Sequence, residues 1–238
     1  MGVSVEEGVT KCITIDKDLN LQDFYNIIFE NNNIALHKEL LNRVENSFEF
    51  LKEFSANKVI YGVNTGFGPM AQYKIDEKDT IQLQYNLIRS HSSGTSNPLE
   101  PQYVKAAMLA RLNTLGLGNS GIHPSVVKLM RDLINADVTP LIYEHGGVGA
   151  SGDLVQLAQL GLALIGEGKV IYNGDVRDTE GVLNELGISP LKLTLRDGLA
   201  LINGTSSMTG IAAINTQKSR RLVEWSILTS SLLNELVE

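Results

Sequence analysis

From Thr205 to Glu238 the chain contains no proline, and Met208, Ile211, Leu222, Trp225, Leu228, Leu232 and Leu236 recur at spacings suited to one long helix. A helix of roughly thirty residues reaches about 50 Å at ~1.5 Å per residue, farther than a domain of this size needs. Its apolar face is therefore expected to pack on something the sequence does not contain, and the pattern is still running where the chain stops. Upstream, helical spacing appears from Asn20 onward and again from Leu40 to Phe54, where Leu40, Val44, Phe48 and Leu51 form one apolar face. Further helices are expected from Asp76 to Ser90, from Pro101 to Leu115 and from Pro124 to Asn135. Strand signals are few. Val9 to Ile15 alternates as a short strand, and Lys169 to Asp178 reads as a small peripheral hairpin turning on Asn173-Gly174, a pair suited to a type I′ turn. The fold class is mainly α, with few short strands.

Composition narrows the functions open to such a chain. With 20 basic against 27 acidic residues, a net charge of -7, the surface offers no basic field for nucleic acid. Cys12 is the single cysteine, so no internal disulfide can form, and His37, His91, His123 and His145 lack the spacing of metal ligands. No metal is expected. Met1 to Asp16 lacks the basic flank and apolar run of a signal peptide, and the apolar stretch Leu154 to Ile165 is too short to span a bilayer. A cytoplasmic protein without membrane or nucleic-acid partners is expected.

The chemistry-bearing feature is the run Gly146-Gly147-Val148-Gly149-Ala150-Ser151-Gly152-Asp153. One reading is a tight turn, with Ser151 or Asp153 capping the apolar helix that follows. The other is covalent: the Gly152 amide nitrogen attacks the Ala150 carbonyl carbon, and Ser151 then loses its hydroxyl to leave a methylidene carbon. That requires an unhindered residue at 152, a small one at 150, and freedom upstream. Gly116-Leu117-Gly118-Asn119-Ser120-Gly121 matches a dinucleotide-binding fingerprint on paper, but helix rather than strand precedes it, so it reads as a turn and no nucleotide is expected.

Together with Tyr61-Gly62-Val63-Asn64-Thr65-Gly66-Phe67-Gly68 upstream and Leu201-Ile202-Asn203-Gly204-Thr205 downstream, the glycine run resembles the histidine and aromatic amino acid ammonia-lyase family. In motif the chain is most similar to bacterial tyrosine ammonia-lyases. The resemblance implies that residues 1–204 form the N-terminal active-site domain of the ammonia-lyase fold. Residues 205–238 would then be the truncated start of a long central helical bundle. It implies autocatalytic conversion of Ala150, Ser151 and Gly152 into 4-methylideneimidazol-5-one. Tyr61 would be the base that takes the substrate's β-proton, although a phenol needs a donor or a positive field to serve as one. Asn203 would donate hydrogen bonds to electrophile and substrate. Gly68 would let backbone approach the substrate, while His91 and Leu154 would face its ring. A histidine at position 91 favours a phenol or an imidazole over a bare phenyl ring.

Val155-Gln156 and Gln159 depart from the small residue-proline pair and the histidine common in the family. These departures, with Pro69-Met70-Ala71-Gln72-Tyr73, favour tyrosine over histidine as substrate. The expected activity is elimination of ammonia from L-tyrosine or L-histidine. Histidine ammonia-lyase proper, tyrosine 2,3-aminomutase and an inactive assembly fragment are the alternatives. Family chains are about twice as long and form homotetramers, so the missing C-terminal half would supply a second tyrosine and the arginine that clamps the substrate carboxylate. This chain alone is accordingly expected to be inactive.

Overall fold

The computed structural model describes residues 11–237. Strand β1 (Cys12–Ile15) lies parallel to β2 (Asn33–Leu36), with Ile13 opposite Ile34, and α1 (Leu21–Ile28) forms the crossover. Val9 and Thr10 of the expected strand lie outside the described residues. Helix α1 starts in a capping box: Asn20 Oδ1 accepts the Gln22 and Asp23 N–H groups, and the Asp23 carboxylate accepts the Asn20 N–H. Next, α2 (Lys38–Ser55) buries Leu40, Val44 and Phe48 along one face. A 3-10 turn at Gly68–Met70 separates it from α3 (Glu77–His91), and β3 (Thr95–Pro98) follows.

Helix α4 (Pro101–Gly116) begins with proline at its first turn, where the missing N–H costs nothing. It is succeeded by α5 (Ser125–Asn135), β4 (Thr139–Pro140), β5 (Tyr143–His145) and α6 (Leu154–Leu164). Then come β6 (Lys169–Tyr172), β7 (Asp175–Asp178), α7 (Thr179–Glu185), α8 (Asp197–Ile202) and α9 (Ser206–Val237). The chain is mainly α-helical, as its pattern predicts, and among the described residues the strands form three small sheets.

Strands β6 and β7 form the expected hairpin, with Asn173 at φ 52° and Gly174 at φ 84°, the two positive angles a type I′ turn requires. It is less peripheral than expected. Strand β6 also pairs with β4, and Val170 is completely buried, because the hairpin closes one edge of the core.

The core is organised around α4. Val104, Met108, Leu109, Leu112 and Leu115 are fully buried, and α1, α2, α5 and α9 all pack against this helix. Small residues set the closest approach: a Cβ on Gly210 of α9 would fall 2.5 Å from the backbone of Ala106 and Ala107. Of the cations on the buried part of α4, Lys105 escapes along its aliphatic stem to Asp137 at 2.8 Å. Arg111 does not escape, and its partners belong to the functional site.

Helix α9 is the long helix read from the sequence. Ser206, Ser207, Gly210 and Ile214 are buried, whereas Leu222, Trp225, Leu232 and Leu236 farther along are exposed. No helix among the described residues is long and apolar enough to cross a membrane. Met130, fully buried on α5, tests the core. Met130→Ala should lower unfolding free energy by about 2–5 kcal/mol, read as a lower urea midpoint with an unchanged slope.

Candidate active site

The glycine run leaves β5 beside β3, where His145 pairs with Thr95, so it passes close to the residues that follow α3. It ends at Gly152, whose φ of +80° favours glycine. A Cβ there would sit 2.2 Å from the Gly204 carbonyl oxygen. Gly152 and Gly204 form an isolated parallel bridge, and the Asp153 N–H donates to Gly204 O at 2.8 Å. Ala150 and Ser151 are exposed on the outer side of this junction.

Asp153 occupies the N-cap position of α6 but makes no side-chain cap bond there. Its carboxylate instead accepts the Met208 N–H at 2.8 Å, in the first turn of α9. The simple capping reading of the glycine run thus fails at Asp153: the residue caps a helix that starts more than fifty positions downstream. The negative carboxylate also suits the positive end of that helix.

Asn203 is the C-cap of α8 and is exposed, while Leu201 and Ile202 before it are buried. Its carbonyl oxygen accepts an N–H from Arg111 Nη2 at 2.8 Å, and the Ala200 carbonyl accepts from the same nitrogen. The Arg111 side chain therefore closes the C-terminal end of α8 from inside the core. Burial holds its guanidinium down to about 10, with the Asp153 carboxylate pulling in the opposite direction, so it remains a cation at neutral pH.

Tyr61 is exposed at the start of a tightly braced loop. Its hydroxyl oxygen accepts the Gly68 N–H at 3.3 Å, and its ring meets Phe67 edge to face at 6.2 Å. Asn64 binds Ile60 N–H and Lys58 O, both at 2.7 Å, and the Thr65 hydroxyl donates to Gly66 O at 2.9 Å. Gln84, wholly buried on α3, ties this loop to α8: its Nε2 donates to Gly62 O and its Oε1 accepts the Leu199 N–H, each at 3.1 Å. Tyr61 and Asn203 are thereby carried on one connected framework.

His91 ends α3, half-buried, with Nδ1 2.9 Å from Leu87 O. A carbonyl can only accept, so Nδ1 is the donor in this contact, and Nε2 is the acceptor of the corresponding neutral tautomer. Leu154 opens α6 and packs partly buried against the core. The tripeptide, Asn203 and Asp153 are brought together directly. Tyr61 and Gly68 form a second pair, while His91, at the end of α3, precedes the strand β3 that pairs with β5 ahead of the glycine run. A groove between α1 and α9, lined by Tyr25, Phe29, Lys218 and Arg221 among others, involves none of these residues. The Gly116–Gly121 segment joins α4 to α5, helix to helix, which a dinucleotide turn does not. Among the described residues no cluster of histidine, cysteine, aspartate or glutamate could hold a metal ion.

Sequence reasoning missed Gln84, Arg111 and Asp197, though each left a signal. Gln84 shares a helical face with the buried Leu87 and Ile88, and Arg111 interrupts the apolar run Ala106–Leu112. Asp197 is fully buried at the start of α8, where its carboxylate accepts the His123 N–H at 3.0 Å and the Thr194 N–H and hydroxyl at 2.8 Å each. Burial raises its pKa, and these donors offset only part of that effect.

A family model described as aromatic amino acid lyase matches residues 19–238. A probable histidine ammonia-lyase of Thermoplasma acidophilum is 40% identical over 222 residues, which cover 92% of this chain and 45% of that protein. A tyrosine 2,3-aminomutase of Chondromyces crocatus is 41% identical over 215 residues, covering 90% of this chain and 40% of its own length. Among solved structures, the phenylalanine aminomutase of Pantoea agglomerans superposes with a TM-score of 0.85 at 34% identity, over 91% of this chain and 42% of that one. The chain spans less than half the length of these relatives.

Two measurements probe the framework. Gln84→Ala leaves the buried Gly62 carbonyl and Leu199 N–H unpaired and should lower stability by about 2 kcal/mol or more, seen in the urea midpoint. For Asp197, a folded pKa above the unfolded value means the folded state holds the proton more tightly. Its stabilising contribution is full below about pH 4 and lost as pH rises through the raised folded value. Asp197→Asn should therefore flatten the decline of stability with rising pH across that window, measured as urea midpoint against pH.

Proposed function

Since the chain belongs to the aromatic amino acid lyase family, we propose that it carries the electrophile-forming part of an ammonia-lyase that releases ammonia from L-tyrosine or L-histidine to leave the arylacrylate. The observation that carries this reading is the Gly152–Gly204 junction. It demands a residue without a side chain at the third position of Ala150-Ser151-Gly152, holds that residue at positive φ, and leaves Ala150 and Ser151 on the open side. The tripeptide therefore fits conversion to 4-methylideneimidazol-5-one. Once formed, that group supplies an electrophilic methylidene carbon able to make the substrate's amine a better leaving group.

In this reading the remaining work falls to Tyr61, Asn203, His91 and Leu154. Tyr61 takes the β-proton in this reading, and the Gly68 N–H at its oxygen supports the negative charge the phenolate form would carry. Asn203, whose backbone carbonyl is held by Arg111, would offer its exposed side-chain amide to the site in this reading. In its neutral tautomer with Nδ1 protonated, His91 would accept a hydrogen bond at Nε2 from a phenol hydroxyl or an imidazole N–H, and a bare phenyl ring gives it nothing. Leu154 supplies apolar contact beside the tripeptide. In this reading the carboxylate-binding arginine and a second tyrosine come from the length of the relatives that this chain does not span, within a homotetramer.

Tyrosine is favoured by the Val155-Gln156 and Gln159 variant of the motif. A second reading, an aminomutase that returns ammonia to the β-carbon, is supported by likeness to the C. crocatus and P. agglomerans proteins. Chromatography of products from a full-length protein separates the two, since arylacrylate alone means lyase and β-amino acid means mutase. The electrophile is tested on this chain directly. Loss of two waters should leave the intact mass about 36 Da below the sequence value, with near-ultraviolet absorbance, and Ser151→Ala should abolish both. A wild-type chain at full sequence mass would overturn the assignment.

A further inference from the structure

Arg111 is a buried cation without a carboxylate in hydrogen-bonding contact among the described residues. Its side chain is 2% exposed, on a helix that is otherwise core. Burying a guanidinium is expensive unless its donors are satisfied, and replacement by an apolar residue is often neutral or stabilising. Here the donors go to two main-chain carbonyls, Ala200 O and Asn203 O, and Nε has no partner. Nη1 lies where a Cβ on Gly204 would stand, 2.3 Å from that position. The cation is thus pressed against the backbone that touches the tripeptide, because Gly204 bridges Gly152 and accepts the Asp153 N–H. A charge serving only to end α8 would have no need to reach past it to Gly204.

We propose that Arg111 is the positioning residue for cyclisation of Ala150-Ser151-Gly152: it holds the Asn203-Gly204 backbone as a rigid wall against which Gly152 is set for attack on the Ala150 carbonyl. The inference rests on the electrophile reading above and adds to it the residue that makes the geometry. In the reaction the Gly152 nitrogen forms a bond to the Ala150 carbonyl carbon. The carbonyl oxygen leaves as water with the amide protons of Gly152 and Ser151, which creates a carbon–nitrogen double bond. Ser151 then loses its hydroxyl with its α-proton as a second water, which creates the methylidene. No oxidant or co-reactant is required. Gly152 carries no side chain to steer it, so its placement depends on what stands behind it. Without the guanidinium, Gly204 and Asn203 are free to relax into the space it filled. A displacement of about 1 Å in a reacting pair can cost about a hundredfold in rate.

The test follows intact mass and near-ultraviolet absorbance of the purified 238-residue chain with time, for wild type, Arg111→Gln, Arg111→Lys and the core variant Met130→Ala. Circular dichroism and urea midpoints report whether each is folded and how far it is destabilised. Wild type and Met130→Ala are expected to lose two waters, while folded Arg111→Gln should do so about 10–100-fold more slowly. Arg111→Lys, which retains the charge but not the forked donors, should fall between them. Cyclisation of Arg111→Gln at the wild-type rate would overturn the proposal. So would equally slow cyclisation of Met130→Ala, because the effect would then be one of general stability. If Arg111→Gln does not fold, Arg111→Lys is judged by the same criterion, and if neither folds the residue belongs to the fold and the proposal is overturned. A wild-type chain at full sequence mass is a different result: it removes the electrophile reading, and this inference with it.

Discussion

Burial of α4 on nearly every side is the constraint on which the other elements depend. A helix that presents apolar or small residues in all directions cannot lie on the surface, so its neighbours must wrap it. Alanines at 106 and 107 let α9 approach closely enough that only glycine fits at 210. That approach fixes the first turn of α9, and the Met208 N–H in that turn donates to the Asp153 carboxylate. The position of an exposed loop is thus set by packing between two helices in the interior. Arg111 connects the same helix to the C-terminal end of α8. Packing and polar contacts act along one line, from the core outward to the tripeptide.

The long elements were legible from the sequence because periodicity accumulates over several turns. Helices α2, α3, α4, α5 and α9 lie within a residue or two of their expected bounds, and the Asn173-Gly174 hairpin follows from its turn chemistry. The short elements left no such signal. Helix α8 has six residues, too few for a period to show; β1 is legible in its alternation, but its partner β2, across an intervening helix, is not. Strands β3 and β5 meet irregularly, with Ser96 at φ 81°. Around the tripeptide, local chemistry pointed the wrong way at Asp153, because a carboxylate just before a helix resembles its cap. Its actual partner is far along the chain, and no local pattern encodes that choice. The roles of Tyr61, Asn203 and His91 came from resemblance alone, since each residue type has ordinary structural uses.

The site has a wet side and a dry side. Ala150, Ser151, Asn203 and Tyr61 are exposed, whereas Gln84 and Arg111, which hold the backbone near Tyr61 and Asn203, are buried, as is Asp197 at the start of α8. Exposed positions of this kind gain accuracy from the rigidity of what supports them rather than from their own packing. Buried polar groups bring that rigidity at the cost of desolvation, which their hydrogen bonds to fixed backbone groups offset. Gln84 illustrates this arrangement: one amide joins the loop that carries Tyr61 to helix α8.

The distant partner of Asp153 bears on how this loop could be reused. Grafted as a contiguous peptide onto another helix, residues 146–153 would keep their glycines and their serine but lose Gly204 O, the Met208 N–H and the guanidinium behind them. The portable unit is therefore not the eight-residue motif but a three-part assembly: the loop, the α8–α9 junction, and the stretch of α4 beneath both. An engineer transplanting it, or evolution recombining it, would have to move all three together.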